Sequence, residues 1–419
     1  MNRFICTGSE CEDSCCINWK IYIDKDYYNM LEKRMNTTRA NRDKFQASVE
    51  RIKNHGNPEK YAALKLRTDG TCSFLNKDGL CNLQRDYGES ILCNTCASYP
   101  RIITIIGKRV ELASTLSCPE VARQCLLEED ATDLVKFDLG TLPREIPGIA
   151  IETTGTDPFL NYVDVVKHTI FKLLSLQQYS INTRLFFCVY FAKRTSPFYH
   201  KNTTNFSEDS LAKEILWVEN PEVIDELYKK YNAMEFHNTF TMTLIQSILI
   251  SSIKEPLNIK FERLALDCLK TYQAVGDVTD NRQIEMLISC EELLARYEER
   301  KLYWESNYGE RIDIYFTNYF RNCWIKDIYA NSPGLLEYFS NLLLRFAILR
   351  FLFFSHPDLK NLQMERSIVI DSLDKVIVKV VYLFTKRFEH DKELIEGIQE
   401  SLERKGTINF AHLVLLLKF

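Results

Sequence analysis

The sequence predicts a mainly α protein: a small cysteine-rich N-terminal module, with turns and a hairpin, followed by a large helical domain. Three observations carry this. Ten of the 14 cysteines lie within the first 125 of 419 residues. Beyond residue 157, apolar residues recur every three or four positions through one long segment after another. Between the two, "EEDATDLVKFDLGTLPREIPGIAIETTGTDP" collects acids, Gly, Pro and Thr, the composition of a connection. The expected division is 1–130 as a cysteine-rich metal- or cluster-binding region, 131–157 as a linker, and 158–419 as a helical domain that binds a substrate or partner.

In the first part, "NWKIYID" alternates Trp19, Ile21 and Ile23 with the period of a short strand. Asp24 then stands as an N-cap for a helix over "KDYYNMLEK", and a polar helical stretch is expected to about Asn54. Asp-Gly-x-Cys occurs twice, at 69–72 and 78–81. Asp and Gly tolerate positive φ, so each cysteine follows a tight turn, where backbone N–H groups are free to face a sulfur. "RIITIIGKRVELAS" reads as a hairpin turning at Gly107-Lys108.

The helical part opens with Asp157 as cap and Pro158 in the first turn, followed by Phe159, Val163, Val166, Ile170 and Leu173 on one face. Asn220-Pro221 repeats that start signal. Another amphipathic segment is expected from Asn281 to about Trp304, followed by "GERIDIYFTNYFRN", "LLEYFSNLLLRFAILRFLFF", "RSIVIDSLDKVIVKVVYLFTKRF" and "TINFAHLVLLLK". Glu337, Arg345 and Arg350 interrupt the most apolar of these, which argues for a buried helix and against a membrane span. With a net charge of −4 and no basic block, nothing supports binding to nucleic acid or an anionic membrane. The start MNRFICTGSE lacks the pattern of a signal peptide, so a cytoplasmic location is expected.

Several chemistries are excluded. No two glycines lie closer than seven positions apart, so neither G-x-G-x-x-G nor a Walker A loop exists. H-E-x-x-H, G-x-S-x-G and C-x3-C-x2-C are absent as well. What remains is the cysteines. Cys188, Cys268, Cys290 and Cys323 are scattered singly through apolar segments and read as buried small hydrophobes. The N-terminal ten allow three readings. A disulfide framework needs an oxidising compartment, to which nothing directs the chain. Structural zinc usually takes paired C-x2-C knuckles, and only Cys93 and Cys96 have that spacing. An iron–sulfur cluster also takes four thiolates, with freer spacing. "CEDSCC" (11–16) is then a ligand block, with Glu12 and Asp13 expected to keep the loop solvated. A reversible thiol pair at Cys15-Cys16 or Cys93-x2-Cys96 is the redox alternative.

"FICTGSECEDSCCINWKIYID", "CSFLNKDGLCNL", "NTCASYPRI" and "LSCPEVAR", with "IDIYFTNYFRNCWI" (312–325) in the helical half, resemble the successive signatures of the flagellin lysine N-methylase family. Its N-terminal half is similar to a wider group of zinc- or iron-binding cysteine-cluster proteins. The resemblance implies a protein-lysine N-methyltransferase that acts on flagellin surface lysines. S-adenosylmethionine would be the methyl donor, and the metal centre a 4Fe–4S cluster, with zinc as the alternative. It places the metal-binding cysteines at Cys6, Cys11, Cys15, Cys16, Cys72, Cys81, Cys96 and Cys118. Cys93 stands where the pattern has a small polar residue, and Cys125 lies outside the pattern. Beside the cysteines, Trp19, Tyr99, Arg101 and Glu120 are the aromatic and polar candidates for shaping a site. In the bland reading, the first two are core and the others are ion-paired or capping. A non-enzymatic metal-binding protein with a helical partner-docking domain is the competing function.

Overall fold

The computed structural model describes residues 4–53, 56–138, 148–254, 258–279, 282–327, 329–359, 365–389, 397 and 409–419. The N-terminal part begins with β1 (Tyr22–Ile23), α1 (Lys25–Met35), α2 (Arg39–Ser48), β2 (Val49–Arg51) and β3 (Ala62–Leu64). Asp24 caps α1 as expected, its Oδ1 accepting from Tyr27 N at 2.7 Å. The helical stretch expected to Asn54 instead stops at Ser48. Val49 and Arg51 go into β2, where pairing with β3 overrides local helical preference. The three strands form an antiparallel sheet in the order β1-β3-β2. Ile21, Ile23, Leu31, Phe45, Leu64, Phe74, Leu83 and Ala97 form its small core.

Two short helices follow, α3 (Asn82–Tyr87) and α4 (Asn94–Ser98), and then the predicted hairpin β4 (Arg101–Ile106) and β5 (Arg109–Ser114). Ile106 pairs with Arg109, and Gly107 has φ +56°, so the turn lies where the sequence placed it. Within the expected connection, β6 (Ile149–Ile151) joins the hairpin as a third strand, parallel to β4. Residues 139–147 of that connection lie outside the described residues. Helix α5 (Pro119–Leu127) sends Val121, Ala122 and Leu126 into the large core of the helical part.

That part contains α6 (Pro158–Asn161), α7 (Val163–Leu174), α8 (Ile181–Thr195), α9 (Glu208–Val218), α10 (Pro221–Asn232), α11 (Thr239–Lys254) and α12 (Ile259–Lys270). The hairpin β7 (Ala274–Gly276) and β8 (Ile284–Met286) precedes α13 (Cys290–Lys326), α14 (Leu335–Phe354), α15 (Arg366–Glu389) and a last helix, Phe410–Lys418. Asp157 and Asn220 cap their helices, accepting from Phe159 N (3.0 Å) and Glu222 N (2.9 Å). The face Phe159, Val163, Val166, Ile170 and Leu173 is buried, although the helix breaks once, at Tyr162. The segment expected as helical from Asn281 differs at both ends. Ile284–Met286 pairs as a strand, Ser289 caps the helix, and α13 runs on past Trp304 through "IDIYFTNYFRN" with one kink at Tyr308 (φ −135°, ψ 21°). Helix α14 is buried almost throughout, and its two arginines are paired: Arg350 with Glu305 at 3.0 Å and Arg345 with Asp327 at 3.6 Å. No described helix is long and apolar enough to cross a membrane.

Candidate functional site

The CEDSCC loop folds onto the helical body, and its acids do the holding. Asp13 is only 7% exposed. Its carboxylate accepts from Lys260 Nζ on α12 at 2.8 Å and from Lys386 Nζ on α15. Lys386 also donates to Ser14 O (2.7 Å) and Lys260 to Glu12 O (3.3 Å). Glu12 pairs with Arg123 of α5, which also holds Glu120. The expectation that these acids keep the loop solvated is therefore wrong for Asp13, which is a buried anchor between two lysines. Burial alone would raise its pKa, but Lys386 and Lys260 outweigh that and leave it below the usual carboxylate range.

The two Asp-Gly-x-Cys turns form as predicted. Gly70 has φ +80° and Gly79 φ +77°. In the first, Asp69 Oδ1 accepts from Thr71 N at 2.9 Å. In the second, Asn76 Oδ1 accepts from both Asp78 N and Leu80 N at 2.9 Å. Each turn closes on its cysteine through one antiparallel bridge, Leu66 with Cys72 and Leu75 with Cys81. The first turn is also clipped to the chain leaving CEDSCC, since Cys72 N donates to Cys16 O (2.7 Å) and Asn18 N to Gly70 O (2.9 Å). Beyond the turns, Cys81, Cys93 and Cys118 each occupy the N-cap position of a helix, α3, α4 and α5 respectively.

Five chain segments thus bring thiols within electrostatic reach of one another. The hydrogen bond with Cys16, whose sulfur lies 4.0 Å away, pulls the Cys15 thiol down to about 7 against burial, with help from Lys386. The same bond, burial and the nearby Cys81 and Cys72 push Cys16 up. Cys96 is raised by its hydrogen bond to Cys93, by burial, and by Cys16 and Cys81. Burial raises Cys81, while the backbone N–H groups of Gln84 and Leu83 favour its thiolate. Cys15, Cys16, Cys72, Cys81, Cys93 and Cys96 therefore form one set. Cys118, raised by burial to about 11 and facing Cys11 and Cys6, forms a second. Cys93, which stands outside the family pattern, acts on Cys72, Cys81 and Cys96 and caps the helix that carries Cys96.

This donor set suits a soft metal centre. It is all thiol, and backbone N–H groups at helix N-termini face several of the sulfurs. Four thiolates on one zinc at about 2.3 Å would stand roughly 3.8 Å from each other. Among the described residues, no three Cys, His, Asp or Glu side chains gather around one point in that way.

Of the four flanking candidates, two meet at this centre. Trp19 Nε1 donates to Cys15 O (2.6 Å), and its ring lies 5.7 Å from that of Tyr99. The Tyr99 hydroxyl is raised by burial and by the charges of Cys118 and Cys15. It also starts a chain of contacts: to Ser117 Oγ (3.2 Å), on to Thr115 Oγ1 (3.0 Å), to Glu389 (3.3 Å) and to Lys326 (3.1 Å). Arg101 lies on β4 with its guanidinium 5.8 Å from the Phe4 ring, and Glu120 is tied up by Arg123 and Gln124.

The Asn318-Tyr319 segment of α13 is a bracket. Asn318, 2% exposed, donates from Nδ2 to Glu128 O (2.7 Å) and accepts from Thr132 Oγ1 (2.8 Å). Arg321 reaches Asp133 (3.1 Å) and Asn322 reaches Ser114 O (3.1 Å). One helix face thereby holds the hairpin and the connection that follow the cysteine region.

Residues 167–416, more than half of the chain, match the family described as FliB lysine N-methylase C-terminal domain. A lysine-N-methylase of Salmonella typhimurium is 34% identical over 135 residues, 32% of this chain and 33% of that protein. The corresponding protein of Salmonella choleraesuis is 33% identical over the same length. A flagellar biosynthetic protein FliU of Salmonella muenchen is 33% identical over 136 residues, which cover 78% of it. The matched stretch thus spans about a third of the curated lysine-N-methylases. No solved structure matches. On the match across its helical half, the chain belongs to the FliB lysine N-methylase family.

Proposed function

We propose that this protein transfers methyl groups from S-adenosylmethionine to lysine side chains of flagellin, and that its N-terminal thiols hold a 4Fe–4S cluster. The observation that carries the reading is the convergence of cysteines from five chain segments next to a helical half that matches the methylase family. The names of the relatives, lysine-N-methylase and FliU, support the acceptor and the flagellar setting. The all-thiol donor set supports the cluster.

A lysine ε-amine has a pKa near 10.4 and must lose a proton before it attacks. Transfer of a methyl group to nitrogen is then an in-line displacement. The amine lone pair forms the new N–C bond, and the S–C bond breaks with its electrons left on sulfur. Such a step calls chiefly for positioning and needs no radical. When bound, the cluster would supply a cross-link between segments far apart in sequence. The chain's own residues prepare for it: Asp13, Lys260 and Lys386 seat the loop, the two Asp-Gly turns aim Cys72 and Cys81, and the N-terminus of α4 presents Cys93 and Cys96. Incubating oxygen-free protein with S-adenosylmethionine and the flagellin of its own organism should add mass in steps of one methylene, on lysines. Cluster-loaded protein that neither binds the donor nor modifies flagellin would favour the non-enzymatic metal-binding reading.

A further inference from the structure

The kink in α13 opens a cavity that the cysteine centre does not explain. At Tyr308 the backbone leaves helical geometry, and Gly309 follows at once. Sharp breaks in a long helix have local causes, and here a glycine supplies one. Against the kink, the start of α8 and the 177–180 turn enclose about 660 Å³, within the usual size range of a small-molecule site.

Its lining is built for a polar ligand. Arg184 and Arg321 are 1% and 8% exposed, and the Nε of each is buried without a hydrogen-bond partner. Buried donors normally find an acceptor, and leaving one unmet costs about 1–3 kcal/mol. Asn182 Oδ1 is similarly unmet. The outer nitrogens of Arg184 are committed, Nη1 to Leu174 O (2.8 Å) and Nη2 to Asp313 and Thr317 (2.7 Å), and Nη2 of Arg321 donates to Asp133 (3.1 Å). The two Nε–H groups are left to meet an anion. Four carboxylates line the same cavity, Glu129, Glu305, Glu310 and Asp313, against three guanidiniums, those of Arg184, Arg321 and Arg350. Glu129 and Glu310 are exposed. Tyr179 and Ile181 add an aromatic and an apolar surface.

We infer that this cavity is the methyl-donor site, the place where S-adenosylmethionine binds, remote from the thiols. The inference rests on the methylase reading above. The donor carries a carboxylate for the unmet Nε–H donors, an ammonium and a sulfonium for the surplus carboxylates, and a purine for the Tyr179 face. Binding donor in the helical half leaves the cysteine centre a structural task.

The test uses the full chain, purified without oxygen. Titration calorimetry with S-adenosylmethionine is paired with ultraviolet crosslinking of labelled donor and peptide mapping. In Gly309→Phe, the new side chain starts in open space, since a Cβ there meets nothing within 4 Å, so the fold should survive while the cavity is filled. Wild type should bind and crosslink within 177–184 or 305–321, and Gly309→Phe should bind at least tenfold more weakly at unchanged helicity. Binding with crosslinks confined to the cysteine segments, or undiminished in Gly309→Phe, would overturn the cavity assignment alone. No binding by cluster-loaded wild type would remove the methylase reading and the cavity assignment with it.

Discussion

Replacing Asp13 by Asn tests how the CEDSCC loop is held. The carboxylate is 97% shielded as a side chain and sits between Lys386, itself 8% exposed, and Lys260, 44% exposed. Two unit charges about 3 Å apart attract by roughly 5 kcal/mol at an effective dielectric of 20, before desolvation is subtracted. Removing one partner of a buried pair typically costs about 3–5 kcal/mol, because the other charge stays buried and uncompensated. Lys260 is half in water and relaxes cheaply, and Lys386 keeps Ser14 O as acceptor. The loss should therefore fall at the lower end, about 3 kcal/mol. Urea unfolding of anaerobic protein measures it, and limited proteolysis shows whether cleavage now begins within residues 4–20. Lys386→Met combined with Asp13→Asn removes both charges and should recover part of the loss, since neither is then stranded. A midpoint shift below about 0.5 kcal/mol for Asp13→Asn, the range of ordinary surface substitutions, would refute the anchor.

Other consequences follow from particular atoms. Gly70 and Gly79 share a left-handed backbone, so alanine at either should cost about 1–2 kcal/mol. A Cβ at Gly70 would also meet Asn18 Oδ1 at 2.2 Å while one at Gly79 meets nothing, so Gly70→Ala should be the more damaging in unfolding midpoint and in bound metal; equal effects would contradict the turn geometry. His356 is 1% exposed, and burial lowers its pKa to about 4, with Lys379 and Arg300 adding to the effect and Asp358 opposing it. Above pH 6.5 both folded and unfolded states hold it neutral. Between 6.5 and 4 only the unfolded state takes up the proton, so stability should fall by up to about 3 kcal/mol as pH drops through that window. His356→Gln should flatten this part of the stability–pH curve, and an unchanged slope would contradict it. Asn318→Leu strands Glu128 O and Thr132 Oγ1 and should cost about 2 kcal/mol, read by thermal unfolding; a neutral result would mean the bracket is not needed.

Much of this was legible where the signal is local. The caps Asp24, Asp157 and Asn220, the hairpin at Gly107 and both Asp-Gly turns rest on a few adjacent residues, and each formed. The burial of 335–354 followed from its apolar length, and its arginines were charges awaiting partners. Short strands were not legible. Val49–Arg51, Ile149–Ile151 and Ile284–Met286 are strands because distant or turn-linked segments pair with them. The kink at Tyr308-Gly309 looked like an end of one helix because a glycine ordinarily weakens it, yet packing on both sides carries α13 through. Asp13 was misread for the same physical reason. Its partners lie 247 and 373 residues away, and a loop carboxylate with no visible partner reads as solvated. Cys93 was set aside by pattern although it shares its helix with Cys96.

The most direct measurement follows cluster content and methyl transfer together in one series of oxygen-free preparations: wild type, Cys96→Ser from the first thiol set, and Cys188→Ser as a buried cysteine far from both sets in sequence. Iron and inorganic sulfide are quantified on each sample, and intact flagellin mass is read after incubation with S-adenosylmethionine. A serine oxygen is a poor substitute for a thiolate on iron. Wild type and Cys188→Ser should contain iron with sulfide and methylate flagellin, and Cys96→Ser should lose both. Stoichiometric zinc without sulfide, or full methylation by the cluster-free variant, would contradict the proposal that the gathered thiols hold an iron–sulfur cluster on which transfer depends.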